Sequence, residues 1–304
     1  MNSYIKTYGK AMGCGLLLIA FTLYVLADTF LLTKVYTVVE DQGTVAAKQE
    51  QEEEKTNAED SAVSTRQYED DQVEITLTEY REHDTTIYVA DIQVASADVL
   101  KTAFAKAGYG KNVTAATSEI AESVQAILAI NGDYYGAREA GYVIRNGVIY
   151  RDTKSSGQED LVIYEDGTME VICEDEVTAA ELAEKGAKEV LSFGPGLVEN
   201  GAVTVSETDE VGKAMESNPR TAIGMIDTLH YLFVVSDGRT KESEGLSLLE
   251  LAQFMEGLGA ETAYNLDGGG SSTMYFQGEV INQPTTNGRI IRERSVSDIV
   301  YIGK

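Results

Sequence analysis

Between Glu74 and Ile281 the chain is built from short alternating or β-branched runs, and three of these runs fold about an internal two-residue glycine turn. The runs are Glu74–Tyr80, Thr86–Val94, Ala126–Ala129, Tyr142–Tyr150, Leu161–Cys173, Thr221–Ile226, His230–Ser236 and Thr273–Ile281; the turns are Asn146-Gly147, Asp166-Gly167 and Gln277-Gly278. Period-two alternation puts one face of each run in a core, and a two-residue turn returns the chain beside itself, so many strands must be antiparallel neighbours. Helical periodicity is confined to Ser118–Val124, Thr178–Gly186 and Ser247–Leu258, the last two opening with capping boxes, Thr178/Glu181 and Ser247/Glu250. The expected fold is an α+β domain over residues 73–304, a mixed, largely antiparallel sheet with packed helices. Parallel pairing stays open for the strands that follow the last two helices.

Ahead of this domain the composition changes twice. Seventeen residues without a charge, Ala11–Ala27, follow Lys6 and Lys10, and Phe30, Leu31 and Leu32 extend the apolar stretch. This predicts a transmembrane anchor over 11–33, a cytoplasmic tail over 1–10 and a C-terminal domain outside the cytoplasm. A cleaved signal peptide ending at Val25-Leu26-Ala27 is the alternative, with a secreted product. Residues 34–72 read as an acidic, disordered stalk, because Glu40–Asp71 holds eleven acidic residues against three basic ones.

Charge and sulfur count exclude whole function classes. With 24 Lys+Arg against 50 Asp+Glu the net charge is -26, a field that repels nucleic acid. Two cysteines and two histidines, in 304 residues, provide neither a disulfide framework nor a multi-histidine zinc centre.

Four segments place polar residues and glycines directly after an apolar strand: Ala129–Tyr135 (AINGDYY), Ser192–Gly196 (SFGPG), Asn218–Gly224 (NPRTAIG) and Asn265–Thr273 (NLDGGGSST). In the last, Gly268, Gly269 and Gly270 let backbone N–H groups converge, and Ser271 and Ser272 add hydroxyls, which suits an anion; an Asp-Gly turn is the plainer explanation. Arg220 can fork onto phosphate oxygens or form a surface ion pair. Asn131 and Asp133 lie beside Tyr134 and Tyr135, aromatic platforms for a sugar ring, or core tyrosines beyond a turn. Asp237 and Arg239 either line the same cleft or form a turn, and Arg294 either contacts phosphate or pairs with Asp298.

The ordered set of motifs, Asn131-Gly132-Asp133-Tyr134-Tyr135, Ser192-Phe193-Gly194-Pro195, Asn218 to Gly224, Asn265 to Thr273 and Arg294-Ser295-Val296-Ser297-Asp298, resembles the phosphodiester glycosidase family. That is the family of N-acetylglucosamine-1-phosphodiester α-N-acetylglucosaminidases, with bacterial members associated with exopolysaccharide biosynthesis. The match runs from about Ile120 to the C-terminus and leaves out the apolar run and the acidic segment. The resemblance implies a hydrolase that separates a sugar's anomeric carbon from a phosphodiester, acting on a sugar-phosphate glycoconjugate or surface polysaccharide.

For such chemistry Asp133 and Asp267 are the candidate carboxylates at an oxocarbenium-like centre. Arg220 and the Gly268–Ser272 loop are the candidates for the departing phosphate. Whether a divalent cation binds stays open: Asp133, Asp267 and Asp298 are hard oxygen ligands, but the regular ligand spacing of a calcium loop is missing. Two other classes stand beside this reading: a non-catalytic wall or glycan-binding module, and a phosphodiesterase attacking phosphorus.

Overall fold

The computed structural model describes residues 34–36, 64–208 and 217–303. Every ladder between described strands is antiparallel. That includes the two strands for which parallel pairing was open. Ala187–Leu191 runs antiparallel to Glu159–Tyr164 and Val143–Arg145, and Thr262–Asn265 to Gly196–Glu199 and Arg220–Asp227.

Three larger sheets form. An eight-stranded sheet runs from Ala202–Val203 through Gly196–Glu199, Thr262–Asn265, Arg220–Asp227, His230–Ser236, Thr85–Val94 and Val73–Glu82 to Thr65–Glu69. A five-stranded sheet orders Glu279–Val280, Met274–Phe276, Leu128–Asn131, Asp298–Ile302 and Leu100–Phe104. A second five-stranded sheet orders Met169–Cys173, Glu159–Tyr164, Ala187–Leu191, Val143–Arg145 and Val148–Arg151. Asn146-Gly147 and Gln277-Gly278 turn as expected, each with positive φ at both residues.

The α+β expectation is corrected: the fold is mostly β. The α-helices among the described residues, Thr117–Ser123, Ala179–Glu184 and Leu248–Gly257, occupy the anticipated segments but have only 7, 6 and 10 residues. The main buried cluster joins the sheets directly, with Ile75, Ile92 and Phe233 against Leu128, Ile130 and Val300 and against Leu161 and Leu191, and takes nothing from any of these helices. Each helix covers an outer face instead. Leu251 and Met255 pack with Leu232, Val234 and Ala263, Ile120 with Ala129 and Ile299, and Leu182 with Val162 and Val190. Burying each such side chain contributes roughly 1.5–3 kcal/mol, so the helices seal the sheets without forming a layer of their own. Both capping boxes form, Thr178 with Glu181 and Ser247 with Glu250.

Two boundaries also move. Thr65–Glu69 pairs with Val73–Glu82, so the sheet starts ahead of residue 73, and Lys34–Tyr36 pairs with Tyr109–Lys111 inside the segment expected to be stalk. The expected membrane span over 11–33 and the acidic residues 37–63 lie outside the described residues. Among the described residues no helix is long and apolar enough to cross a membrane.

Candidate active site

The four segments singled out in the sequence meet where strands of the three sheets end. Asn131 Nδ2 donates to the Asp267 carbonyl at 2.5 Å, and Asn131 Oδ1 accepts from Thr221 Oγ1 and the Thr273 amide. Asp267 N donates to the Gly132 carbonyl and Gly269 N to the Pro219 carbonyl, while Asn265 Nδ2 donates to Gly194 O. Asn131 is fully buried, so it braces the Asp267 loop and does not face a ligand.

Asp267 is the acid at the mouth. Its side chain is 11% exposed, and Oδ2 accepts from Ser271 Oγ at 2.6 Å and Arg294 Nη2 at 3.0 Å. Both contacts fall on Oδ2, which leaves Oδ1 outside the pair. Burial pushes the carboxyl pKa up, and the Arg294 charge and Ser271 hydroxyl work against that rise. Arg294 therefore pairs with Asp267 and not with Asp298, the partner weighed from sequence.

Asp133 is not at the mouth. It has no exposure, and its carboxylate accepts from Arg145 Nη2, the Ser192 amide and the Tyr135 amide. Arg145 Nη2 also donates to Asp298 Oδ2 at 2.7 Å, so one buried guanidinium bridges both aspartates. Burial and the Asp133 charge push Asp298 up to about 7. Gly132 is required beside them, because a Cβ there would lie 2.2 Å from Asp298 Oδ1.

A cation thus already occupies the space between two of the three aspartates considered for a metal. Among the described residues no group of three or more His, Cys, Asp or Glu side chains is placed to hold one.

The arginines divide by exposure. Arg220 is buried at the start of its strand, where Nε donates to the Leu246 carbonyl, so it supports the site from below. Asp237 is buried too and accepts from Asn282 Nδ2 and the Gln283 amide. Arg239 and Arg294 flank the glycine loop from the open side. Arg239 donates to Asn218 Oδ1 and Thr286 O, and its Nη2 lies 2.9 Å from where a Gly269 Cβ would sit. Burial, and then the Arg294 charge, lower the Arg239 pKa, as expected where two guanidiniums share one anion-seeking position. Gly268 and Gly270 are equally confined, by Pro219 O and by Thr286, while Ser271 is bonded to Asp267 and Ser272 is fully buried.

Of the two tyrosines, Tyr134 is 44% exposed and sits in the left-handed region at φ +67. Tyr135 is buried, stacked on Tyr109 at 5.1 Å and edge-on to Phe104, so both ring faces are committed to the core. Only Tyr134 can offer a sugar platform.

The phosphodiester glycosidase profile matches residues 124–303, more than half of the chain. The chain belongs to the phosphodiester glycosidase family. It is 31% identical over 190 residues to the SPbeta prophage-derived uncharacterized protein YomE of Bacillus subtilis (strain 168), covering 60% of this chain and 29% of that protein. It is 29% identical over 189 residues to human N-acetylglucosamine-1-phosphodiester alpha-N-acetylglucosaminidase, covering 56% of this chain and 36% of that one. The chain therefore spans about a third of the length of these curated relatives. The structure of the zebrafish N-acetylglucosamine-1-phosphodiester alpha-N-acetylglucosaminidase catalytic domain, auto-inhibited by its pro-peptide, shares the fold with a TM-score of 0.60 at 17% identity, covering 82% of this chain and 85% of that one.

The structure of this phosphodiester glycosidase domain adds residues that the sequence did not single out. Arg138 lies over the Phe193 ring at 5.2 Å, donates to Ser192 O and Gln158 Oε1, and adds positive potential at Asp267. Arg145 is the buried hub described above; its place before an Asn-Gly turn is where an exposed strand residue is expected. Asp160 is enclosed with neither carboxyl oxygen in a well-formed hydrogen bond, and burial, then neighbouring Glu174, pushes it up to about 10. Glu174 caps the Tyr142 and Ser155 amides, so this pair of carboxyls underpins the segment leading to Ser192.

Proposed function

We propose that the domain hydrolyses a sugar-1-phosphodiester at the anomeric carbon. Water oxygen bonds to the carbon, the carbon–oxygen bond to phosphate breaks, and a phosphate monoester leaves. The observation that carries this reading is the partly exposed Asp267 carboxylate bound to Arg294 and adjoining the glycine loop that Arg239 flanks.

An oxocarbenium-like centre needs a nearby carboxylate, and Asp267 Oδ1 is the oxygen free to stabilise it or to activate water. A phosphate leaving group is weakly basic, so fixed positive charge aids departure more than a strong acid would. Arg239 and Arg294 supply that charge, with Arg220, Asn131 and Asp133 holding the floor on which they stand. Tyr134, exposed and one residue after Asp133, is the aromatic proposed to offer the sugar a ring face.

The curated human relative's name supports N-acetylglucosamine as the sugar. The apolar N-terminal run preceded by Lys6 and Lys10 supports export, and with it a substrate in an extracytoplasmic glycoconjugate or polysaccharide.

Turnover of methyl N-acetylglucosamine-1-phosphate by the full chain, with and without EDTA, tests this reading. Release of N-acetylglucosamine, lost in Asp267→Asn, is expected; absence of turnover with every sugar-1-phosphodiester tried would contradict it.

A further inference from the structure

Beside the proposed phosphate position stands a hairpin whose composition the hydrolysis of a small phosphodiester does not require. Thr285 bridges to Ile291, Arg292 N donates to Pro284 O, and Thr285 Oγ1 donates to Ile290 O. The stems of this hairpin are part of the site. Thr286 packs on Gly270 and accepts from Arg239, and Arg294 reaches Ser271 and Asp267.

The tip is ordered by Asn287 Oδ1, which accepts from the Arg289 and Ile290 amides. It nevertheless holds Ile290 and Ile291 out, at 64% and 51% exposure, the most exposed large apolar side chains among the described residues. Arg289 and Arg292 flank them, also exposed, and the intervening acid, Glu293, is engaged by Ser118. In a chain of net charge -26, three arginines and two open isoleucines within six residues, 289–294, are a local reversal of both charge and polarity.

We infer that this hairpin recognises the acceptor side of the substrate, and that the acceptor is a hydrocarbon chain esterified to the phosphate. The inference rests on the hydrolase reading and extends it to a substrate class, amphiphilic sugar phosphodiesters. The chemistry is complementary: arginines meet the anionic phosphate end, and the isoleucines gain by covering methylene groups just beyond it. A polyol or sugar acceptor would leave Ile290 and Ile291 in water on both sides of the reaction.

The test compares methyl and octyl esters of N-acetylglucosamine-1-phosphate, both below micelle-forming concentrations, on the full chain. Calorimetric affinity and steady-state KM are each measured. The octyl ester is expected to bind roughly tenfold more tightly than the methyl ester, the scale expected for partial cover of several methylenes. In Ile290→Ser/Ile291→Ser that ratio should collapse toward one, while Ile149→Ser, an exposed isoleucine on another hairpin, should keep it. Equal affinity of the two esters for the unaltered chain, or a ratio that survives in the double variant, would overturn the inference. An octyl preference in binding, lost in the double variant, without turnover of either ester would keep the hairpin as a hydrocarbon-binding element and count against the hydrolase reading alone. Loss of self-association in the double variant with no change in the ratio would assign the patch to a second copy of the chain and also overturn it.

Discussion

Arg145 and Asp133 form an ion pair closed to solvent, Nη2 to Oδ2 at 2.9 Å with side chains 2% and 0% exposed. The same nitrogen holds Asp298, so a residue of one five-stranded sheet fixes the ends of two adjacent inner strands of the other. Asp133 thereby becomes part of the support for Asp267 and leaves Asp267 as the carboxylate at the opening.

Removing Arg145 should unfold before it inactivates. Arg145→Met strands two buried carboxylates, which costs on the order of 3–5 kcal/mol. A urea midpoint lowered accordingly, with near-normal kcat in the fraction that remains folded, is expected. Arg145→Lys should fall between, because a point charge cannot serve both aspartates as a planar guanidinium does.

Asp160 sets a pH dependence of stability. Its folded pKa is raised to about 10, against an ordinary carboxylate value near 4 when unfolded. Its contribution is full below the unfolded pKa and is lost as pH rises through the folded one. Glu189, raised by burial to about 7, adds the same sign over the lower part of that window. Asp160→Asn should therefore flatten the fall in stability between about pH 4 and 10 and raise the urea midpoint at pH 8. An unchanged slope would remove Asp160 from the account.

Gly269 is held at φ +62 with Arg239 where a side chain would begin. Gly269→Ala should cost about 1 kcal/mol in stability from backbone strain. Its larger effect should be on KM, because the added methyl displaces the Arg239 guanidinium.

Local features were readable where local physics decides them. The alternating runs became strands, the Asn-Gly and Gln-Gly turns became hairpins, and Thr178 and Ser247 capped helices where their glutamates sit three residues on. Three of the four polar segments were readable because Ala129–Tyr135, Ser192–Gly196 and Asn265–Thr273 each end or follow an apolar strand, whereas Asn218–Gly224 opens one at Arg220. What was not readable depends on distant partners. Nothing near Asp133 announces that Arg145, 12 residues on, and Asp298, 165 residues on, will enclose it. Tyr134 and Tyr135 are neighbours in sequence, yet the left-handed turn at Tyr134 sends one ring outward and the next against Tyr109. The three helical segments were correctly placed, but whether they form a layer or seal a sheet depends on which faces the sheets give to each other.

The Arg294 charge opposes the rise that burial imposes on the Asp267 carboxyl pKa. Arg294→Gln removes that opposition, so the Asp267 pKa should rise and the acid limb of kcat/KM should move to higher pH. Arg294→Lys should restore part of the shift. A limb that does not move in Arg294→Gln would separate Asp267 from the titrating group.

The central claim is cleavage at the anomeric carbon beside Asp267. Hydrolysis of an N-acetylglucosamine-1-phosphodiester in ¹⁸O water, followed by mass analysis of both products, tests it most directly. The account predicts label in the sugar's anomeric hydroxyl, unlabelled phosphate monoester, and a loss on the order of a thousandfold in Asp267→Asn. Label in the phosphate would contradict it and make the domain a phosphodiesterase acting at phosphorus.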